Sequence, residues 1–272
     1  MSKLFCKISF SPFLLLAITA SLVISCQKNS VRSEDSSDSG SDNDKIAYIK
    51  PTILRIIPHD TLAFTQGLVF FNSFLFESNG KYGRSSLRKL NPSTGEIIEF
   101  HNLDQNYFGE GLAASNNRFV QLTWQARTAF IYSHSPITEI DTFRYNGQGW
   151  GLTHDGNQFI MSDGSGNLTF RDNNFKKRKS ISVTLEGLSI RFLNELEYAQ
   201  NLIYANVLES DSIFAIDPIT GNVKKIIDCS ELVEKANPQN PGYVLNGIAY
   251  DSTHTTFYCT GKNWKFMFEL TF

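Results

Sequence analysis

Five copies of one short signature recur after residue 60: Gln66-Gly67-Leu68, Glu110-Gly111-Leu112, Trp150-Gly151-Leu152, Asn194-Glu195-Leu196 and Asn246-Gly247-Ile248. Their middle residues are separated by 44, 40, 44 and 52 positions. A period of this length filled with short strands is the mark of a β-propeller, in which each repeat forms one blade. The expected fold is therefore all-β, with five blades. The first position of the signature varies between copies, whereas the next two stay mostly small and then aliphatic. Packing explains the constant positions, and convergence of the variable side chains on one place explains the other.

The third repeat shows four strands most clearly, over residues 149–153, 158–163, 167–172 and 177–184, separated by Asp-Gly and Asn-Asn turns. Asn91-Pro92-Ser93-Thr94-Gly95 and Asp217-Pro218-Ile219-Thr220-Gly221 stand at matching places between third and fourth strands. Proline presets φ early in such a turn, and glycine accepts a positive φ late in it. The last repeat runs out after three strands, at residues 246–251, 256–259 and 264–272, while an extra strand at 52–58 precedes the first. Pairing these two ends closes the ring and removes an open edge. The 22 phenylalanines suit packing between blade faces.

Residues 1–25 carry Lys3 and Lys7 ahead of an apolar run, the pattern of a secretory signal. The run is just long enough to read alternatively as a membrane span, although Pro12 and the serines speak against it. Leu22-Val23-Ile24-Ser25-Cys26 resembles the lipobox of bacterial lipoproteins, which makes Cys26 the lipidated residue; an ordinary cleaved signal is the other reading. Cys26 and residues 27–45, rich in Ser, Asp and Asn, form an acidic tether with almost nothing to bury. The folded part is then residues 46–272, held on the periplasmic or cell-surface side of a bacterial membrane. The chain carries a net charge of only −2, which gives no electrostatic reason to expect nucleic acid. Cys229 and Cys259 remain in the folded part, and the sequence leaves open whether they pair.

In a propeller the tops of the inner strands and the loops leaving the second strands surround one opening. The first set is Gln66, Glu110, Trp150, Asn194 and Asn246; the second is Glu77, Trp124, Asp163, Asn206 and Lys262. Amides, carboxylates, indoles and one amine look like a small pocket for a polar ligand, although channel linings are also polar simply because they hold water. The histidines (His59, His101, His134, His154, His254) and the cysteines lack zinc-ligand spacing, so no metal is expected. Gly147-Gln148-Gly149-Trp150-Gly151 opens no helix and is not a dinucleotide loop. Neither Gly261-Lys262 nor Asp163-Gly164-Ser165-Gly166-Asn167 completes a P-loop or a calcium loop. No cofactor is expected.

Nine linked stretches then resemble one known family. They include Ala63-Phe64-Thr65-Gln66-Gly67-Leu68, Phe108-Gly109-Glu110-Gly111, Gln121-Leu122-Thr123-Trp124, Gly149-Trp150-Gly151-Leu152-Thr153, Leu193-Asn194-Glu195-Leu196, Leu245-Asn246-Gly247-Ile248 and Thr260-Gly261-Lys262-Asn263-Trp264. In order, and from about Ile53 to the last residue, they are similar to the plant and bacterial glutaminyl-peptide cyclotransferases (glutamine cyclotransferases), which are five-bladed propellers. The zinc enzyme of the same name in animals has another fold.

The resemblance implies cyclisation of an N-terminal glutamine to pyroglutamate with loss of ammonia, on peptides or proteins, by a monomer. It makes Glu110 the catalytic residue and Phe64, Gln66, Phe108, Trp124, Trp150, Asn194 and Lys262 the pocket. Leu208 departs from the family's usual tryptophan and makes one wall aliphatic. Chemically, the substrate's own amine is the nucleophile, so the site needs an orienting box, donors for an oxyanion and one group that moves a proton. Two other readings of the residues stay open: a tethered propeller that binds peptides or sugars without catalysis, and a metal-assisted hydrolase. The loop at residues 231–242 is expected near an opening of the ring.

Overall fold

A computed structural model describes residues 45–272; the signal, Cys26 and nearly all of the tether lie outside the described residues. Five antiparallel sheets of at least four strands follow one another along the chain. Blade 1 is Thr65–Phe71, Phe74–Asn79, Ser86–Leu90 and Ile97–Asn102. Blade 2 is Gly109–Ser115, Arg118–Thr123, Thr128–His134 and Ile137–Arg144. Blade 3 is Leu152–His154, Phe159–Met161, Asn167–Arg171 and Lys177–Ser182. Blade 4 is Leu193–Ala199, Leu202–Val207, Ser212–Ile216 and Val223–Asp228. Blade 5 is Leu245–Asp251, Thr256–Gly261 and Phe266–Thr271, completed by Thr52–Pro58.

The expected closure is present. Ile53 pairs with Leu270 and Ile57 with Met267 across the two ends of the chain. The inner strands contact one another in cyclic order, blade 5 meeting blade 1. A further strand was not anticipated: Ala47–Ile49 adds in parallel to the outer strand of blade 4. Three largely exposed residues carry no periodicity that would announce it.

The signature proves to be a β-bulge. Pairing with the second strand shifts between Thr65 and Gly67, Gly109 and Leu112, Leu193 and Leu196, and Leu245 and Ile248. A bulge re-aims a side chain and sharpens the local twist, so Gln66, Glu110 and Asn194 turn into the mouth while the third signature residues enter the core. In blade 3 the irregularity shortens the regular inner strand to Leu152–His154, against the expected 149–153; Trp150 N–H still donates to Ser162 O at 3.2 Å. The middle residue is small because the next blade's signature lies against it. A Cβ on Gly111 would fall 2.4 Å from Leu152 N, and one on Gly151 would fall 1.9 Å from Asn194 O. Seryl hydroxyls continue the contact: Ser162 Oγ accepts from Gly151 N–H and donates to Asn194 O, both at 2.7 Å, and Ser78 Oγ donates to Glu110 O.

Phenylalanines fill the seams as the composition suggests. Phe76 of blade 1 meets Phe119 of blade 2 at 4.2 Å, Phe143 stacks on Phe175 between blades 2 and 3, and Tyr204 meets Phe257 between blades 4 and 5. The matched turns also hold: Asn91 Oδ1 accepts from Ser93 N–H, and Asp217 Oδ1 from Ile219 N–H and Thr220 N–H. Cys229 and Cys259 are free thiols buried in one apolar cluster shared by blades 4 and 5.

The fourth signature carries Glu195 where the others have glycine, and the channel explains it. Glu195 accepts hydrogen bonds from Leu68 N–H of blade 1 (3.3 Å) and Ile248 N–H of blade 5 (2.9 Å). Two residues on, Glu197 accepts from Tyr250 N–H at 3.0 Å and from Thr153 Oγ at 3.4 Å. These two carboxyls tie blade 4 to three others. Burial pushes both towards the neutral acid, Glu197 to about 8. A carboxyl whose folded pKa lies above its unfolded value stabilises the fold fully below about 4.5 and loses that contribution as pH rises towards 8. Glu197→Gln should therefore flatten the fall in unfolding free energy between pH 5 and 8, by up to about 1.4 kcal/mol per pH unit. Urea denaturation of the variant and the parent over that range measures it, and parallel curves would exclude the assignment.

Candidate active site

Eight signature and loop residues converge at the channel mouth, two of them, Asn194 and Leu208, from blade 4. A cavity of about 260 Å³ is lined by Gln66, Phe108, Glu110, Trp124, Trp150, Asn194, Leu208 and Lys262. Four come from first signature positions, which the bulges aim upward. Trp124 follows the second strand of blade 2, and Lys262 that of blade 5. Lys262 is positioned from its backbone, its N–H donating to Val244 O at 2.9 Å. That carbonyl ends the loop that follows the helix Ser230–Ala236, so the long last interval brings its chain to the rim beside Lys262. Leu232 and Ala236 anchor the helix in the core.

Glu110 is the single carboxylate of this lining and is 4 % exposed. Burial raises its pKa well above the usual carboxylate range, opposed by the Lys262 charge and by a hydrogen bond with the Gln66 side chain. Lys262, 6 % exposed, is shifted the other way: burial lowers its pKa, Glu110 restores part of it and Lys81 repels. Apolar surroundings disfavour either charge alone, and each group supports the other's ionisation. The result is a proton acceptor held above its ordinary range next to an ammonium held below its own.

The rest of the box is rigid. Gln148 Oε1 accepts from both indoles, Trp124 Nε1 at 2.8 Å and Trp150 Nε1 at 3.1 Å. Phe108 meets Trp124 edge-on at 5.8 Å. Phe64, expected in the pocket, stands behind it instead: its ring meets Phe108 at 6.1 Å and lies under Lys262 Nζ at 5.1 Å. Gln66 is oriented by Asn246, whose Nδ2 donates to Thr65 O at 2.9 Å and to Gln66 Oε1 at 3.3 Å.

Four residues expected at the mouth do other work. Asn246 is fully buried and braces Gln66. Asn206 Oδ1 accepts from Gly247 N–H at 2.9 Å, joining blades 4 and 5. Asp163 is exposed on the rim, its carboxylate accepting from Ser165 N–H at 3.0 Å. Glu77 is buried against His59 Nε2 at 2.8 Å and also accepts from Thr65 Oγ and Asn79 Nδ2. The imidazole and these donors hold Glu77 down to about 2, and Glu77 raises His59 despite burial. This pair joins the closing strand to blade 1. Both Glu77 and Glu110 are buried glutamates near the mouth, one on a second strand and one on an inner strand, and their surroundings shift them in opposite directions. Gln148 escaped the sequence reading, because its glycine-rich stretch was weighed only as a dinucleotide loop and the pattern contains no sign of two indoles sharing one acceptor.

Among the described residues, no three His, Cys, Asp or Glu side chains cluster so as to hold a metal ion. The described residues thus form a five-bladed propeller with an acid-bearing aromatic pocket at its mouth. Residues 19–272 match the glutamine cyclotransferase family, and the chain belongs to that family. It is 38% identical over 224 residues to a glutaminyl-peptide cyclotransferase of Arabidopsis thaliana, covering 80% of this chain and 70% of the relative. It superposes on the crystal structure of Myxococcus xanthus glutaminyl cyclase with a TM-score of 0.79 at 38% identity, over 83% of this chain and 97% of the other.

Because Asn246 orients Gln66, Asn246→Ala should lower kcat about tenfold or more with a smaller change in KM, since misplacing one group of such a site is costly even when the change lies outside it. Steady-state ammonia release measures both constants. A KM effect alone would assign Asn246 to substrate binding.

Proposed function

We propose that this cavity cyclises the N-terminal glutamine of peptides and proteins to pyroglutamate, with Glu110 moving the proton. Family membership and the relatives in Arabidopsis and Myxococcus support the activity. The observation that carries the residue assignment is the solitary buried carboxyl facing Lys262 among aromatic walls.

The substrate's α-amine attacks its own side-chain amide carbon, so a C–N bond forms within one residue and the amide C–N bond breaks as ammonia leaves. A free α-amine has a pKa of about 7.7 to 8.0, and a carboxylate that burial raises above its usual range is a better acceptor for that amine's proton than an ordinary one. Glu110 takes the proton from the attacking amine and delivers it to the departing nitrogen. Gln66, Asn194 and Lys262 supply donors to the tetrahedral oxyanion; each such donor is worth about 3 kcal/mol of barrier. Phe108, Trp124, Trp150 and Leu208 fold the side chain back on the amine and keep out the water that would hydrolyse the amide instead. Leu208 offers less surface than an indole, which weakens binding on that wall without touching the chemistry.

Glu110→Gln should fold with an unchanged melting temperature or a higher one, because it removes a buried ionisable group, and lose about 10²- to 10⁴-fold in kcat. In the parent, kcat/KM should fall on the acid side along a limb set by Glu110, above the range of an ordinary carboxylate. Ammonia release and product mass from a Gln-initiated peptide measure both. Parental turnover in the variant would remove Glu110 from the mechanism, and binding without ammonia would favour the non-catalytic reading.

We also infer that the chain is exported and anchored by a lipid on Cys26, acting as a monomer on the outer side of a bacterial membrane. Lys3, Lys7, the apolar run and Leu22-Val23-Ile24-Ser25-Cys26 support this, and the acidic stretch that follows supplies the reach. Cys26→Ser should abolish labelling by a radioactive fatty acid and move the protein from the membrane to the soluble fraction; retained labelling would refute the anchor.

A further inference from the structure

A second, larger depression adjoins the reactive pocket. Its volume is about 540 Å³, and it lies between the outer strand of blade 2 and blade 3. Gln148 belongs to its lining and simultaneously accepts from the indoles of Trp124 and Trp150, which line the reactive cavity. One side chain therefore separates the two spaces. This rim offers an exit for a chain whose first residue sits beside Glu110, and each further residue advances it by about 3.3 Å.

The depression is basic. Arg144, Arg171, Lys176 and Lys177 line it, against the single carboxylate of Asp163. Arg171 is built in: it is 7 % exposed, its NH1 donates to Phe175 O at 3.1 Å, and its guanidinium lies 5.0 Å from the Phe175 ring. Arg144 is held by Thr128 Oγ at 2.6 Å. Lys176 and Lys177 are exposed, and neither is in a salt bridge among the described residues. Asp172, the nearest acid in sequence, is engaged by Arg178 at 2.7 Å. Such a concentration of one sign in a chain of overall negative charge attracts an anionic partner.

We propose that this groove receives the substrate's chain beyond its glutamine and selects peptides with acidic side chains in the next few positions. The inference rests on the cyclisation reading, which places the glutamine in the neighbouring cavity. Arg144 and the two lysines pair with carboxylates of the departing chain, while Arg171 fixes the floor. Because these contacts lie outside the reacting atoms and persist from ground state to transition state, they act on KM and leave kcat unchanged.

Three peptides that differ only at residues three to five, Gln-Ala-Asp-Asp-Asp, Gln-Ala-Ala-Ala-Ala and Gln-Ala-Lys-Lys-Lys, test this with the full chain. The acidic peptide should show a kcat/KM about three- to tenfold above the neutral one, with the basic one lowest, as expected for a few screened ion pairs. The ranking should arise in KM and shrink as salt rises towards 0.5 M. Lys176→Ala/Lys177→Ala should abolish most of the preference while cyclising the neutral peptide at the parental rate. Equal kcat/KM for all three peptides, or a preference that survives the double substitution, overturns the groove assignment and leaves the cyclase reading intact. Ammonia release from none of the three overturns both.

Discussion

The close approach of successive inner strands at the signature is the constraint on which the site depends. Ser162 Oγ bridges Gly151 N–H and Asn194 O, and Gly111 N–H donates to Trp150 O at 2.6 Å, so neighbouring blades are joined backbone to backbone at the height of the mouth. At Gly67, Gly111 and Gly151 this contact leaves no room for a side chain, and the bulge lies beside it. The bulge in turn sends Gln66, Glu110, Trp150 and Asn194 towards a common centre. Packing and chemistry are thus the same geometric fact: the ring cannot close this tightly without presenting those four side chains to one another.

Enclosure then determines what the side chains are. Glu110, Glu77, Glu195 and Glu197 all occupy inner or second strands, and each behaves differently. Glu77 has an imidazole and two neutral donors and stays ionised. Glu195 and Glu197 receive mainly backbone N–H groups and are driven towards the neutral form by burial. Glu110 faces a lysine across an apolar box, so burial and a nearby cation pull in opposite directions. That balance sets Glu110 apart from the other three and underlies the role proposed for it. The first three act as ties between blades, which keeps the fourth in place.

Much of this was legible in the chain itself. A repeated turn-strand signature at a nearly constant spacing has few folded solutions, because strands of this length must pair with neighbours and a ring alone removes the edges. Closure by residues 52–58 followed from counting strands, and the seams followed from the supply of phenylalanine. Glu110, Gln66, Trp150 and Asn194 were accessible through their shared place in the repeat, and Trp124 and Lys262 through their places after second strands.

What the sequence left open is whatever depends on side-chain direction across blades. Glu77, Asp163, Asn206 and Asn246 fit the same pattern as the pocket residues, and tertiary contacts alone sent them to His59, to solvent, to Gly247 and to Gln66. Gln148 and the basic groove join residues from two blades that no local pattern relates. Periodicity reports which backbone positions are equivalent, since hydrogen-bonded strands repeat; the field and the partners at each position come from neighbours distant in the chain, and those exist only once the ring is closed.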